Sequence, residues 1–389
     1  MSKKRLAFVV QRYGEAVNGG SEAYCREVAE KLKDLYEIDI LTTCAEDYVT
    51  WANKYDEGIS VINGVTVRRF KNDKERNQKE FDSSTSKLIA DKNHSNSQEV
   101  EWMEKQGPYC PKLLNYIKNN RENYDYFIFM TYLYYTTYFG LQCVPEKSIL
   151  IPTAHDEFTI YFNMFYSFFN LPRKIIYLTD EEKQFVNSKF NNDSIESDVV
   201  GLGIDYKDNA DASAFREKFK VYSDFIVYVG RIDQSKGCDE LFDFFLKYKK
   251  EVNSDLKLVL IGKSVMEIPK HKDIIDLGFL SEEDKLNALD AAKFLILPSK
   301  FESLSMSVLE SLAQFTPVLV NGTCQVLKGH CKKSNAGLYY YNYMEFKKCV
   351  DFMISKKDIL NKLGINGHNY ILNTYNWKVI VKKFIDIIE

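Results

Sequence analysis

Four charged side chains in the second half of the chain stand where chemistry on an anionic, hydroxyl-rich ligand would need them. Gly230-Arg231-Ile232-Asp233-Gln234-Ser235-Lys236-Gly237 follows an apolar run and offers flexible backbone with two cations five residues apart, which together can neutralise a diphosphate. The segment from Pro298 to Glu310 also follows an apolar run and opens a helical pattern. Glu302 falls in its loop and Glu310 about two turns further along, so both carboxylates can face one ligand. A carboxylate accepts two hydroxyl hydrogen bonds at once, which suits a ribose or hexose diol, and the helix start between them can donate amides to phosphate. Taken singly, each feature has a plainer explanation: Arg and Lys in loops are usually solvated, and an acidic residue near a helix start favours the helix dipole.

Two features of the first half belong beside these. Gly19-Gly20 lies between the first apolar run and the first helical pattern, where glycine permits close backbone approach to a ligand and serves a generic tight turn equally well. His155-Asp156 follows an apolar run that ends near Thr153, and a lone His is often only a satisfied structural residue. Gly262-Lys263-Ser264 has the ending of a phosphate loop, but Lys257 stands where that motif requires its earlier glycine, so the motif is rejected. No H-E-x-x-H, G-x-S-x-G or strict G-x-G-x-x-G occurs.

The elements that must position these residues are legible as short apolar runs alternating with amphipathic helical segments, the pattern of parallel sheets with crossover helices. In the first half, strands are expected at Leu6 to Val10, Ile38 to Thr42, Val65 to Phe70, Tyr126 to Met130, Ser148 to Thr153, Lys174 to Leu178 and Asp198 to Val200. Lys71 to about Gly107 reads as a long polar insertion with little apolar periodicity. A linker begins at Asp205. The second half starts afresh with strand Phe225 to Val229, then Leu256 to Ile261, Ile274 to Leu277, Phe294 to Leu297 and Val318 to Val320, with helices near 238–252, 282–292 and 305–314. The expected fold class is α/β, with two Rossmann-like doubly wound parallel-sheet domains, residues 1–204 and then 205–371.

Bulk properties narrow the function classes. A chain of 389 residues is longer than one hydrophobic core usually grows, and 45% hydrophobic with 28% charged residues is ordinary globular usage. The net charge of −3 lacks the basic surplus of a nucleic-acid binder. Eight cysteines without C-x-x-C pairs read as reduced thiols, hence a cytoplasmic setting. The basic start Met1 to Arg5 leads into an apolar run too short for a signal peptide. The uncharged stretch Tyr126 to Val144 reads as a buried strand running into a helix rather than a span. The aromatic cluster Phe162, Phe165, Tyr166, Phe168 and Phe169 is open to two readings, peripheral contact with a lipid surface or plain core or acceptor-pocket packing.

Taken jointly, Gly-Arg followed by Lys-Gly after one strand, then Glu with seven residues before a second Glu after a later strand, resembles the retaining glycosyltransferases of family 4, which share the GT-B architecture. The resemblance runs over essentially the whole chain. It implies that the two domains face across a cleft and that a C-terminal helix, 372–389, packs back onto the first domain. It also implies that Arg231 and Lys236 hold the donor pyrophosphate, Glu310 the ribose, and Glu302 with Ser303, Leu304 and Ser305 the transferred sugar. It places the nucleobase near Gly262 and the turn carrying Phe279, and a phosphate or acceptor near Gly19 and Gly20. His155 looks like the family's His beside the donor sugar. The implied activity is sugar transfer from a nucleotide-diphosphate donor to an acceptor hydroxyl of a glycan, lipid-linked glycan or other molecule, with no metal, no cofactor and no nucleic-acid partner. The lack of an Asp-x-Asp triplet agrees with the metal-free form. The usual setting of such enzymes is surface-polysaccharide assembly in the cytoplasm, at the inner face of the membrane.

The chain also departs from the family pattern. Leu304 and Ser305 stand where the family commonly has glycine after the first Glu, and Phe315 precedes Thr316-Pro317 where it has another. Phe enters a left-handed cap at greater cost than Gly, so a rebuilt turn is expected, and donor preference does not carry over. A GT-B epimerase or phosphorylase, and a non-catalytic partner subunit, remain the alternatives.

Overall fold

Runs of Val, Ile, Leu and Phe that can be buried on both faces become parallel strands, and they do so twice. The computed structural model describes residues 3–17, 19–91, 93–206 and 210–389. Residues 1 and 2 of the basic start and 207–209 of the expected linker lie outside that set. The chain divides into two units, one running to Leu202 and including Lys383–Glu389, the other Gly203–Lys382.

The N-terminal unit holds an eight-stranded sheet of β1 (Arg5–Val9), β2 (Glu37–Thr43), β3 (Gly58–Ile62), β4 (Val65–Phe70), β5 (Tyr126–Met130), β6 (Ser148–Ile151), β7 (Lys174–Tyr177) and β8 (Glu196–Val199), in the order β3-β4-β2-β1-β5-β6-β7-β8. Only β3 runs antiparallel, closing a hairpin with β4 at the edge. The stretch read as a long polar insertion with little apolar periodicity folds into helices Gln78–Ala90 and Asn96–Gln106. Asn77 caps the first, and Ser95 with Gln98 forms a reciprocal capping box on the second. Phe162, Phe165, Phe168 and Phe169 are buried in this unit's core with Trp102, Tyr132 and Tyr138. Core packing is therefore the reading that holds for those four, while Tyr166 is exposed.

The C-terminal unit holds β9 (Phe225–Val229), β10 (Lys257–Ile261), β11 (Ile274–Asp276), β12 (Leu295–Leu297), β13 (Val318–Asn321) and β14 (Gly337–Tyr340), ordered β11-β10-β9-β12-β13-β14 and parallel throughout. Numbered within the unit, that order is 3-2-1-4-5-6, the doubly wound arrangement whose direction of winding reverses between its first and fourth strands. Ligands bind such sheets beyond the strands' carboxyl ends at that reversal, which here is the pair β9 and β12.

The last helix, Trp377–Ile388, begins in one unit and ends in the other. At its start, Gly203 leaves room for the Trp377 ring, whose Cδ2 would lie 2.2 Å from a Cβ there. At its end, Lys4 and Lys174 donate to the carbonyls of Ile388 and Ile387 at 2.9 and 2.7 Å, satisfying groups that a helix terminus leaves open.

Candidate functional site

The loop after β9 is shaped by its glycines. Gly230 and Gly262 hold φ of +150° and +143°, and a Cβ on Gly262 would sit 1.9 Å from the Gly230 carbonyl oxygen. No side chain fits there, so the ends of β9 and β10 pass in direct contact. Ile232 is buried, and its amide donates to the Lys263 carbonyl at 3.0 Å. Asp233 then organises the turn, accepting from the Lys236 amide at 2.9 Å and the Ser235 hydroxyl at 2.6 Å, with Arg231 Nε on its other oxygen. Burial works to raise the Asp233 carboxyl, but the Ser235 hydroxyl, the Lys236 amide and the Arg231 guanidinium hold it below the usual carboxylate value. Gly237, at φ +75°, closes the loop against the end of β12, where a Cβ would lie 2.7 Å from the Pro298 carbonyl oxygen.

That closure joins two of the residues singled out in the sequence. Lys236 Nζ donates to Glu302 Oε1 at 2.7 Å, with the side chains 31% and 14% exposed. The loop after β9 and the loop after β12 thus meet at the winding reversal through a partly shielded ion pair. Arg231 remains the more exposed cation, at 40%.

Beyond Glu302 the chain turns into helix Met306–Ala313. Leu304 is buried, and its carbonyl accepts from His330 Nε2 at 2.7 Å. Burial pushes the His330 imidazole down to about 4, so it is neutral at physiological pH and serves as a strut. Ser305 holds φ +69°, ψ +83° at the helix start without a side-chain cap. Its hydroxyl oxygen is buried and finds no hydrogen-bond partner among the described residues. Phe315 likewise keeps φ +57°. The expectation of a rebuilt turn is therefore corrected: the backbone is left-handed at both positions with Ser305 and Phe315 in place. The Phe315 ring stacks on His368 at 3.9 Å, and Gly364 supplies the missing clearance, since a Cβ there would meet the Phe315 carbonyl at 2.2 Å.

Glu310 lies on that helix with both oxygens 2.9 Å from Lys285 Nζ. Lys285 also pairs with Glu282 at 2.8 Å. Burial disfavours the Lys285 ammonium, but Glu310 and Glu282 outweigh it and raise its pKa, while burial raises the Glu310 carboxyl against the pull of Lys285. Each Glu310 oxygen retains a lone pair for a hydroxyl. Lys285 and His330 escaped the sequence reading; a lone cation in an acidic helix and a lone His carry no motif. Gly262 donates to the Gly278 carbonyl at 2.8 Å, which brings the turn bearing Phe279 to the ends of β10 and β11, with that ring 70% exposed.

In the N-terminal unit, His155 follows β6, with Nδ1 3.8 Å from Glu157 Oε1. The residue before it is fixed by a side chain the sequence reading did not single out. Buried Glu182 accepts from the Ala154 amide at 2.5 Å and the Leu178 amide at 2.6 Å, tying the ends of β6 and β7 together. Burial pushes its carboxyl up to about 8. Gly19 is required for a comparable reason, because a Cβ there would lie 2.2 Å from Glu22 Oε2. Glu22 in turn binds Arg12 through Nε at 2.8 Å and Nη2 at 2.6 Å, inside the unit. Gly20 meets no such obstacle.

Comparison with known proteins agrees with this fold. Residues 209–370 match the family model described as Glycosyl transferases group 1. An uncharacterized glycosyltransferase of Methanocaldococcus jannaschii is 24% identical over 189 residues, 44% of this chain. The match spans about half of that relative, 47% of its length. Among solved structures, sucrose-phosphate synthase of Thermosynechococcus elongatus superposes with a TM-score of 0.72 at 14% identity, covering 99% of this chain and 98% of that one. Anabaena HepE in complex with UDP and glucose gives 0.69 at 11% identity, covering 99% of both chains. WaaG, a glycosyltransferase involved in lipopolysaccharide biosynthesis, gives 0.65 at 13%, covering 98% of this chain and 99% of its own. The fold is GT-B, two Rossmann-like units in one chain.

Proposed function

We propose that this chain is a retaining glycosyltransferase of the family 4 kind, which moves a sugar from a nucleotide-diphosphate donor to an acceptor hydroxyl without a metal ion. The observation that carries the reading is the gathering of Arg231, Lys236 and Glu302 where the winding of a 3-2-1-4-5-6 sheet reverses, followed directly by a helix start. In the reaction the bond from C1 of the sugar to the donor phosphate breaks and the acceptor oxygen bonds to C1 on the same face. The acceptor proton passes to the departing phosphate oxygen. Arg231, Lys236 and the amides that open helix Met306–Ala313 take up the charge that develops on the diphosphate. Lys236 exchanges Glu302 for phosphate, which frees Glu302 for the sugar hydroxyls. Glu310 holds the ribose, with Gly262 and Phe279 at the base and Ser303, Leu304 and Ser305 at the sugar. His155 and Gly19-Gly20 are the N-terminal unit's contribution.

HepE was solved with UDP and glucose, and WaaG takes part in lipopolysaccharide biosynthesis. Both support a nucleotide-sugar donor and a surface-glycan acceptor. All eight cysteines are unpaired, which supports a reducing, cytoplasmic compartment. Among the described residues no helix is long and apolar enough to cross a membrane; an acceptor presented at the inner membrane face is part of the proposal. The test is release of free nucleotide and of glycosylated product across a panel of nucleotide sugars. Lys236→Ala and Glu310→Ala are expected to lower turnover by about a hundredfold or more, and a chelator to leave it unchanged. Full turnover in both variants would refute the site assignment.

A further inference from the structure

The N-terminal unit contains a cavity of 270 Å³ lined by none of the residues assigned above. Its walls come from the segment after β2, which carries Trp51, from the segment after β4, which carries Lys74 and Arg76, and from the two helices of the insertion. β2 and β4 are parallel neighbours, so the cavity lies beyond the carboxyl ends of adjacent strands, where open parallel sheets bind ligands. Its size falls just below that of typical ligand clefts, which run roughly from 300 to 1,000 Å³. That leaves room for a sugar residue rather than a nucleotide.

The frame of the cavity is locked. Arg76 is committed to it, donating through Nε to the Val49 carbonyl at 2.8 Å, through Nη1 to Gln106 at 3.1 and 3.2 Å, and through Nη2 to the Tyr48 carbonyl. Its guanidinium lies 5.1 Å from the Trp51 ring and 5.0 Å from the Phe81 ring. Trp51 holds φ +59°, which a bulky residue adopts only where its surroundings force it. Its indole N–H donates to the Gln106 carbonyl at 2.7 Å, and Gly107 is bare where a Cβ would come within 3.0 Å of the ring.

Against that frame stand two further groups. Tyr109 is half-buried, with Lys74 Nζ 4.0 Å from its ring centroid and the Tyr135 ring 4.9 Å away. The Glu104 carboxylate has no ion-pair or hydrogen-bond partner among the described residues, while Lys105 is shared by Glu101 at 2.7 Å and Glu80 at 3.7 Å. Three basic side chains face four acidic ones in the lining, so the positive surplus that phosphate recognition needs is lacking. Aromatic faces suit the C–H side of a pyranose, and carboxylates with ammonium groups suit its hydroxyls.

We propose that this cavity binds a neutral sugar residue of the acceptor glycan, a proposal that rests on the transferase reading. The test applies the full chain to an array of neutral hexose and N-acetylhexosamine oligosaccharides and repeats the hits by titration calorimetry with Glu104→Gln and Tyr109→Ala. Thermal stabilisation by a panel of UDP-, GDP- and dTDP-sugars is read in parallel. The expected result is retention by the parent chain, about tenfold weaker binding in each variant, and undiminished nucleotide-sugar stabilisation. Glu104→Gln removes a charge with no ion-pair partner and so keeps the test independent of folding. A parent chain that retains no glycan, or variants that bind as well as the parent, would overturn the proposal. Glycan retention that the variants weaken, without nucleotide-sugar stabilisation, would support the cavity while striking the transferase reading.

Discussion

Ser305→Gly is expected to make the protein more stable and a worse enzyme. A non-glycine residue in the left-handed region costs about 1–2 kcal/mol, and Ser305 stands there at φ +69°. Its buried hydroxyl without a partner adds about 1–3 kcal/mol of desolvation. Glycine removes both terms and returns about 0.5–1 kcal/mol as extra freedom of the unfolded chain. The net gain is about 2 kcal/mol, which for a unit of this size raises Tm by roughly 4–8 °C. Ser305→Ala drops the hydroxyl but keeps the backbone strain, so it should recover only the hydroxyl's share. Calorimetry of the transition that nucleotide sugars shift supplies the stability readout. In parallel, steady-state kinetics should show the donor KM rising about tenfold in both variants, because the proposed function assigns the Ser305 hydroxyl to the donor. A lower Tm for Ser305→Gly would refute the strain argument. A higher Tm with an unchanged donor KM would refute the functional one.

Lys285→Met removes the only cation on the Glu310 carboxylate among the described residues and should cost about 3 kcal/mol by urea titration, as breaking one side of a shielded pair does; an unchanged midpoint would show the pair to be superficial. Gly262→Ala forces a Cβ to within 1.9 Å of the Gly230 oxygen at φ +143°, and soluble yield or Tm should collapse by far more than the ~1 kcal/mol of an ordinary Gly-to-Ala exchange. Glu182 gives a pH dependence: its carboxyl titrates near 8 in the folded chain and near the ordinary 4.5 unfolded. Its contribution is therefore fully present below about pH 4.5 and is lost as the pH rises through 8, because between those values the folded state binds the extra proton. Glu182→Gln should flatten that slope in Tm-against-pH measurements, and an unaltered slope would assign it to other groups.

The sheets were legible because parallel strands buried on both faces leave uninterrupted apolar runs, as Phe225 to Val229 and Leu6 to Val10 do. β3 left no such trace, since Ile59 and Val61 on that edge strand are 65% and 68% exposed. The helices of the insertion were obscured for a similar reason: the first buries only Leu88, too little to set up a visible period. The Ser95-to-Gln98 capping box was the signal available there. Within the candidate site, Arg231, Lys236, Glu302 and Glu310 could be singled out only jointly, through their resemblance to a family pattern, since each alone has a plainer explanation. Their supports could not, because they act across sequence. Lys285 meets Glu310 from 25 residues away, His330 meets Leu304 from 26, and Glu182 meets Ala154 from 28.

The left-handed turns show a deeper limit on reading residues one position at a time. Glycine is missing at 305 and 315, and local steric rules then favour a different turn. The backbone keeps its path because the path is set by neighbours. Thr316 must reach the Ser311 carbonyl, at 3.0 Å, for the chain to leave the helix and enter β13. Phe315 is carried into the left-handed region by that requirement, stacks on His368, and receives its clearance from Gly364 on another helix. The glycine the turn needs is thus present, displaced by 49 positions, and Gly364→Ala should disturb the turn at 315 as severely as any substitution made within it.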